Sequence, residues 1–249
     1  MAQERSSGSE DEGYKAGDVV RPLFFRRDGH WRFAGTGFFF HHQDSKYLAT
    51  AHHVLQGDCM GVMMPLHGEG PFRADEILKE ATLVAHAPKP YDLAVLKVSD
   101  GVPGVVPQLA SEPPYLNYSV YTYEYARFEM AGRDGKRIIN PNASYRRGNI
   151  VRYVMQDPYF PDGSLELSYP AIAGASGAPV FLSDPWGFKD YGIVGVITTN
   201  AKYDLLPIED HFFKDADGSE ERRRYYLPAA IAIHVSHLKK LVESISARK

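Results

Sequence analysis

Apolar positions along this chain fall in short runs cut by Gly, Pro, Asn and Asp. Val19 to Phe25, Trp31 to His41 and Tyr47 to Thr50 read as strands, the second dense in aromatics and interrupted by Gly35-Thr36-Gly37. Leu83 to His86 and Leu93 to Val98 follow. The second half repeats the style in Tyr118 to Tyr125, Gly148 to Met155, Ser164 to Tyr169, Ala178 to Leu182, Gly192 to Thr199 and Tyr225 to Ile233. Many of these runs are rich in β-branched and aromatic residues, which suit a pleated surface. Short strands at regular spacing with turn signals between them predict a sandwich or a barrel.

One segment has the helical period instead. Across His234 to Ser246, Val235, Leu238, Leu241, Val242 and Ile245 share a face, while Lys239, Lys240 and Glu243 take the other. The segment is short and not strongly basic, so it predicts a terminal helix docked on the core rather than one lying on a membrane or a partner. Residues 201–224 are polar and read as a long loop; Asp215-Ala216-Asp217-Gly218 within it lacks the remaining ligands of a calcium loop. Residues 1–14 are polar and acidic, offer nothing to bury, and are expected to be disordered.

Length and charge narrow the class. The chain has 249 residues, which one all-β domain can fill, and a formal net charge of -3. Its one basic triplet, Arg222 to Arg224, follows Glu220 and Glu221, so no nucleic-acid-binding field is expected. No segment is apolar for long enough to span a membrane as a helix, and the N-terminus has no secretory pattern. The single cysteine, Cys59, excludes an intramolecular disulfide and reads as a small hydrophobe. Together these features point to a cytoplasmic location.

Three segments carry residues able to do chemistry. In Ala173-Gly174-Ala175-Ser176-Gly177-Ala178-Pro179-Val180, glycines flank a serine. They permit a tight turn in which backbone N–H groups converge where negative charge would develop. A simple loop is an equal reading of that segment alone. In Leu48-Ala49-Thr50-Ala51-His52-His53-Val54, an apolar run ends in two histidines, either of which could be held as a base. In Asp92-Leu93-Ala94-Val95-Leu96-Lys97-Val98, an acid opens an apolar strand, as a turn residue or as a buried orienter of a histidine.

Taken together, in the order His, Asp, Ser and with Gly35-Thr36-Gly37-Phe38 ahead of them, these segments resemble the chymotrypsin/trypsin-like serine peptidases. The resemblance is strongest to the disulfide-free bacterial trypsin-like, HtrA-like branch and covers about residues 17–246. It implies an all-β fold of two six-stranded antiparallel β-barrels with a C-terminal α-helix. The first barrel would span about 15–110, the second about 115–233 and the helix 234–246, all within a peptidase domain of 15–249. It implies a serine endopeptidase working through an acyl-enzyme, without cofactor or metal, on a protein or peptide substrate. The family's base directly precedes the valine of Thr-Ala-x-His-Val, which selects His53 over His52 and gives a triad of His53, Asp92 and Ser176. The oxyanion hole would be the backbone N–H groups of Gly174 and Ser176.

The same resemblance places the specificity pocket between the segment leading into the serine and a later strand. Pro170, Ile172, Gly195, Val196 and Ile197 are the expected substrate-binding residues. Neither segment carries an acid, so a small or medium apolar side chain before the scissile bond is expected rather than Lys or Arg. Ala175 stands where secreted trypsins have the acid that receives a freed N-terminus, so that activation switch is absent. HtrA proteins also carry a peptide-binding domain after the peptidase, and none is expected here.

Three rival readings differ in class. A catalytically inactive scaffold of the same fold would keep the barrels and bind without cleaving. A metal hydrolase would need His41, His42, His52 and His53 to converge, yet adjacent strand residues face opposite ways. An α/β-hydrolase would need its serine first and a Gly-x-Ser-x-Gly elbow, and neither holds. The expected biological setting is regulation, defence or quality control in a bacterial cytoplasm. A regulatory protein partner could dock on the polar loop or the acidic tail.

Overall fold

The computed structural model describes residues 15–56, 59–64, 78–125, 129–133, 136–140, 143–183, 190–204, 211–214, 220–223 and 226–247. The expected disordered tail, 1–14, lies outside them. Strands β1 (Val20–Arg27), β2 (His30–His42), β3 (Ser45–Ala51), β4 (Cys59–Met63), β5 (Leu78–Ala87) and β6 (Leu93–Val98) close a first barrel in the order β1-β2-β3-β6-β5-β4. A second contains β7 (Ser119–Tyr125), β10 (Ala143–Val154), β11 (Ser164–Leu167), β12 (Pro179–Ser183), β13 (Asp190–Asp204) and β16 (Tyr226–His234). It closes in the order β10-β11-β16-β13-β12-β7. Every pairing within the two barrels is antiparallel. Two separate hairpins, β8 (Glu129–Arg133) with β9 (Lys136–Asn140) and β14 (His211–Lys214) with β15 (Glu220–Arg223), complete the sheets.

The unbroken apolar runs of β2 and β6 have a physical reason: both faces of these strands are buried. In β2, Phe39 points into the first barrel with Leu23, Leu48 and Leu96. Its neighbours Phe38 and Phe40 point outward, into a third cluster that joins the two barrels. That seam also holds Leu93 and Val95 of β6 and Tyr121, Phe181, Ile193, Val196 and Ile233 of the second barrel. Each fully buried Phe or Leu contributes roughly 1.5–3 kcal/mol. The docking of the barrels is thus built from the same strands as the barrels themselves.

The terminal helix, Val235–Ser246, begins where the period predicted. The His234 side chain caps it by accepting the Ser236 N–H. Val235, Leu238 and Val242 are fully buried in the seam, and the helix touches β5 and β6 of one barrel and β13 and β16 of the other.

Two readings change. Residues 201–224 are not one loop: β13 and β16 continue their ladder from Ala201↔Ala229 to Asp204↔Tyr226, and β14 and β15 form a hairpin beyond it. Backbone pairing satisfies its own hydrogen bonds, so a ladder persists where the side chains are polar. Cys59 opens β4 half-buried rather than buried and outside any disulfide, and its thiol is pushed up by burial and by the neighbouring Glu80 carboxylate. Among the described residues no helix is long and apolar enough to cross a membrane.

Candidate active site

β3 ends at Ala51, and the chain turns through a single 3-10 turn, His52–Val54, anchored by the buried Val54 side chain. The two histidines leave this turn differently. His52 stacks on His86 of β5, ring centroids 4.5 Å apart and 8° from parallel. His53 turns to Asp92, whose Oδ2 lies 2.6 Å from His53 Nδ1.

Asp92 is held from several sides. It precedes β6 with φ +52, a left-handed conformation that Asp tolerates better than most residues. That turn lets one residue make three bonds to the histidine pair. Its carbonyl accepts the His52 N–H at 2.9 Å, Oδ1 accepts the His53 N–H at 2.9 Å, and Oδ2 takes the ring. An ionised carboxylate can only accept, so the His53 proton sits on Nδ1 and Nε2 carries the lone pair. The Asp92 side chain is 8% exposed and that of His53 42%, so the acid is shielded while the imidazole meets solvent. Next to Asp92, Tyr91 packs on His237 of the terminal helix at 5.0 Å, tying the acid's loop to the inter-barrel seam.

Ser176 arrives from the second barrel. Gly174 and Gly177 stand at φ +97 and +86, conformations that favour glycine. There is also no space for a side chain at either. A Cβ on Gly174 would lie 2.5 Å from the Tyr125 carbonyl oxygen. One on Gly177 would lie 2.1 Å from both the Thr36 carbonyl and Thr50 Oγ1. The loop is pinned by Ala175 N–H to Ile172 O at 3.0 Å and Gly177 N–H to Ile197 O at 2.7 Å. Among the described residues the N–H groups of Gly174 and Ser176 have no acceptor. They are free to receive an oxyanion.

Thr36, in the centre of Gly35-Thr36-Gly37, is fully buried and fastens this loop to the first barrel. Its N–H donates to Ser176 O at 2.9 Å and its hydroxyl to Gly174 O at 2.8 Å. The same hydroxyl accepts the Tyr125 N–H at 3.1 Å, and the Thr36 carbonyl accepts from Thr50 Oγ1 at 2.7 Å. The glycines of the segment were visible in the sequence, whereas the role of the threonine between them appears only when the barrels meet.

His53, Asp92 and Ser176 line one cavity of about 710 Å³. Ala171, Ile172 and Ala173 form one wall, Thr198, Thr199 and Asn200 another, and Lys89, Pro90, Tyr159 and Phe160 the rest. Of the substrate-binding residues expected from sequence, Ile172 lines this cavity. Pro170 does not, nor do Gly195, Val196 and Ile197. Val196 and Ile197 are buried in apolar clusters, Val196 in the seam and Ile197 in the second barrel, and Gly195 packs against Ala232. The wall is supplied by the next turn of the same strand, Thr198 to Asn200, after the ladder shifts register between Ile197 and Thr199.

Residues 35–186 match the family model of the trypsin-like peptidase domain. No curated protein matches the chain. Among solved structures, the active form of the Rv3671c protease from M. tuberculosis is 17% identical. That likeness covers 92% of this chain and 82% of the other, with a TM-score of 0.56. The HtrA-type protease AlgW, solved with a decapeptide, is 15% identical; it covers 93% of this chain and 65% of its own, also with a TM-score of 0.56. At these identities the likeness is one of fold, the double barrel.

Proposed function

The chain belongs to the trypsin-like peptidase family and is a serine endopeptidase, and from that premise we propose that His53, Asp92 and Ser176 are its catalytic triad. The observation that carries this reading is the doubly bonded Asp92–His53 pair, which opens on the same cavity as Ser176.

In the proposed reaction Ser176 Oγ attacks the carbonyl carbon of a peptide bond while His53 Nε2 takes its proton. Asp92 keeps the Nδ1 proton in place and stabilises the imidazolium that forms. The unengaged N–H groups of Gly174 and Ser176 receive the negative oxygen of the tetrahedral intermediate. His53 then protonates the leaving amine, and water repeats the sequence on the acyl-enzyme.

The substrate is a peptide or protein segment, and the cavity favours a small or medium apolar side chain before the scissile bond. Asp92, the one acid on the cavity wall among the described residues, is committed to His53. No carboxylate is therefore left there to select Lys or Arg. The setting we propose is a cytoplasmic protease of a regulatory, defence or quality-control module, because a chain with one cysteine needs no oxidising compartment.

Labelling by a fluorophosphonate probe, lost in Ser176→Ala and in His53→Ala, tests the triad. Faster cleavage of Lys-terminated than of Ala-, Val- or Leu-terminated reporters would overturn the pocket assignment.

A further inference from the structure

We propose that Asn200 is a specificity-determining residue, a brace across the catalytic cavity that limits the side chain accepted before the cleaved bond. This rests on the triad reading above and deepens it.

Asn200 lies on β13, on the opposite wall of the cavity from the segment that leads into Ser176. Its Oδ1 accepts the Ala171 N–H at 2.7 Å, and its Nδ2 donates to the Ala171 carbonyl at 2.8 Å. One amide thus satisfies both backbone groups of one residue. No other side chain offers an acceptor and a donor in that spacing without a longer stem, apart from a protonated Asp. The two walls are thereby fixed one short side chain apart.

The brace also stands at a boundary. Beyond it lies a second cavity of about 340 Å³, lined by Val154 and Ile231 together with Arg152 and Asp157. Asn200, Tyr159 and Phe160 line both cavities. The amide therefore sits where a large substrate side chain passing Ser176 would have to continue toward Val154 and Ile231. With Asn200 in place, Ala, Ser and Val fit freely, Leu fits less well and Phe meets the brace. With a smaller residue there, the cavities join and Val154 and Ile231 become reachable.

An acid at the same position has a different consequence. In Asn200→Asp the second oxygen would face the Ala171 carbonyl. Two acceptors repel, and the carboxylate turns into the cavity, where it would attract a cationic substrate side chain.

The test profiles wild type, Asn200→Ala, Asn200→Ser and Asn200→Asp. The substrates are peptide reporters differing only in the residue before the cleaved bond: Ala, Val, Leu, Phe and Lys. Fluorophosphonate labelling of each variant reads the triad independently of the pocket. For Asn200→Ala and Asn200→Ser, kcat/KM for Leu and Phe is expected to rise roughly tenfold or more relative to Ala, in protein that the probe still labels. For Asn200→Asp, the Lys reporter gains relative to Ala while Leu and Phe do not. If Asn200→Ala fails to melt cooperatively, Asn200→Ser and Asn200→Asp decide. Normal labelling with an unchanged ranking of reporters overturns the brace and leaves the triad standing. A wild type that the probe does not label overturns the triad, and the brace with it.

Discussion

Replacing Thr36 by Val removes one oxygen atom from the joint between the barrels and leaves its shape. Thr36 is fully buried, so no water replaces the lost hydroxyl. The main-chain bonds to Ser176 O and from Thr50 Oγ1 survive. The bond to Gly174 O at 2.8 Å and the bond from the Tyr125 N–H at 3.1 Å are lost. Two backbone groups then face a methyl, and each unsatisfied group costs about 1–3 kcal/mol. The sum, about 2–6 kcal/mol, lowers Tm by roughly 4–24 °C for a chain of this size. The loop carrying Gly174 and Ser176 also loses its tie to the first barrel. An oxyanion donor lost outright costs about 10²–10³ in kcat; a loosened one should cost roughly tenfold to a hundredfold, with KM changed little. Thr36→Ser keeps the oxygen and gives up one buried methyl, about 1 kcal/mol, so kcat should return to near wild type. Thermal melts and steady-state hydrolysis of an Ala reporter supply both readings. Wild-type Tm and kcat in Thr36→Val, or a Thr36→Ser variant as impaired as Thr36→Val, would show that the Thr36 hydroxyl does not hold this loop.

Three further outcomes follow from the same geometry. Gly177→Ala places a Cβ 2.1 Å from the Thr36 carbonyl and Thr50 Oγ1 at φ +86, so both folding yield and labelling should collapse; a well-folded, fully labelled variant would contradict this. Asp92→Asn puts an amide donor opposite His53 Nδ1 and enforces the wrong tautomer, so kcat should drop by about 10⁴ while a melt near wild type shows the fold intact. His234 is pulled from 6.5 down to about 4 by burial, then by the charges of His237 and Lys239. Below pH 6.5 the unfolded chain takes up a proton that the folded chain refuses, so stability falls as pH drops toward 4 and is unaffected above 6.5. The loss is on the order of 3 kcal/mol at most, and His234→Asn, which keeps a capping acceptor, should flatten the dependence in melts between pH 7.5 and 4.5. An unchanged slope would remove His234 from the explanation.

Much of this architecture was legible because its cause is local. The strand runs and the terminal helix follow from side-chain period, and they stand within a few residues of where the pattern put them. β4 was missed because Cys59-Met60-Gly61-Val62-Met63 is short and broken by a glycine, and the extension of β13 because polar residues hide a backbone ladder. The roles of Thr36 and Asn200 were invisible for another reason. Each acts through partners on the other side of the joint, Thr36 on Gly174 and Ser176, Asn200 on Ala171, and no spacing along the chain announces such a contact. The cavity is lined by Thr198–Asn200 rather than by Gly195–Ile197, the wall that the family resemblance implied.

Fluorophosphonate labelling of the full chain, followed by peptide mapping of the adduct, tests the proposed triad at its nucleophile. One adduct is expected, on Ser176, lost in Ser176→Ala and His53→Ala and much slowed in Asp92→Asn. A folded wild type that takes no label, with or without added cell lysate, or an adduct on any other residue, would contradict it.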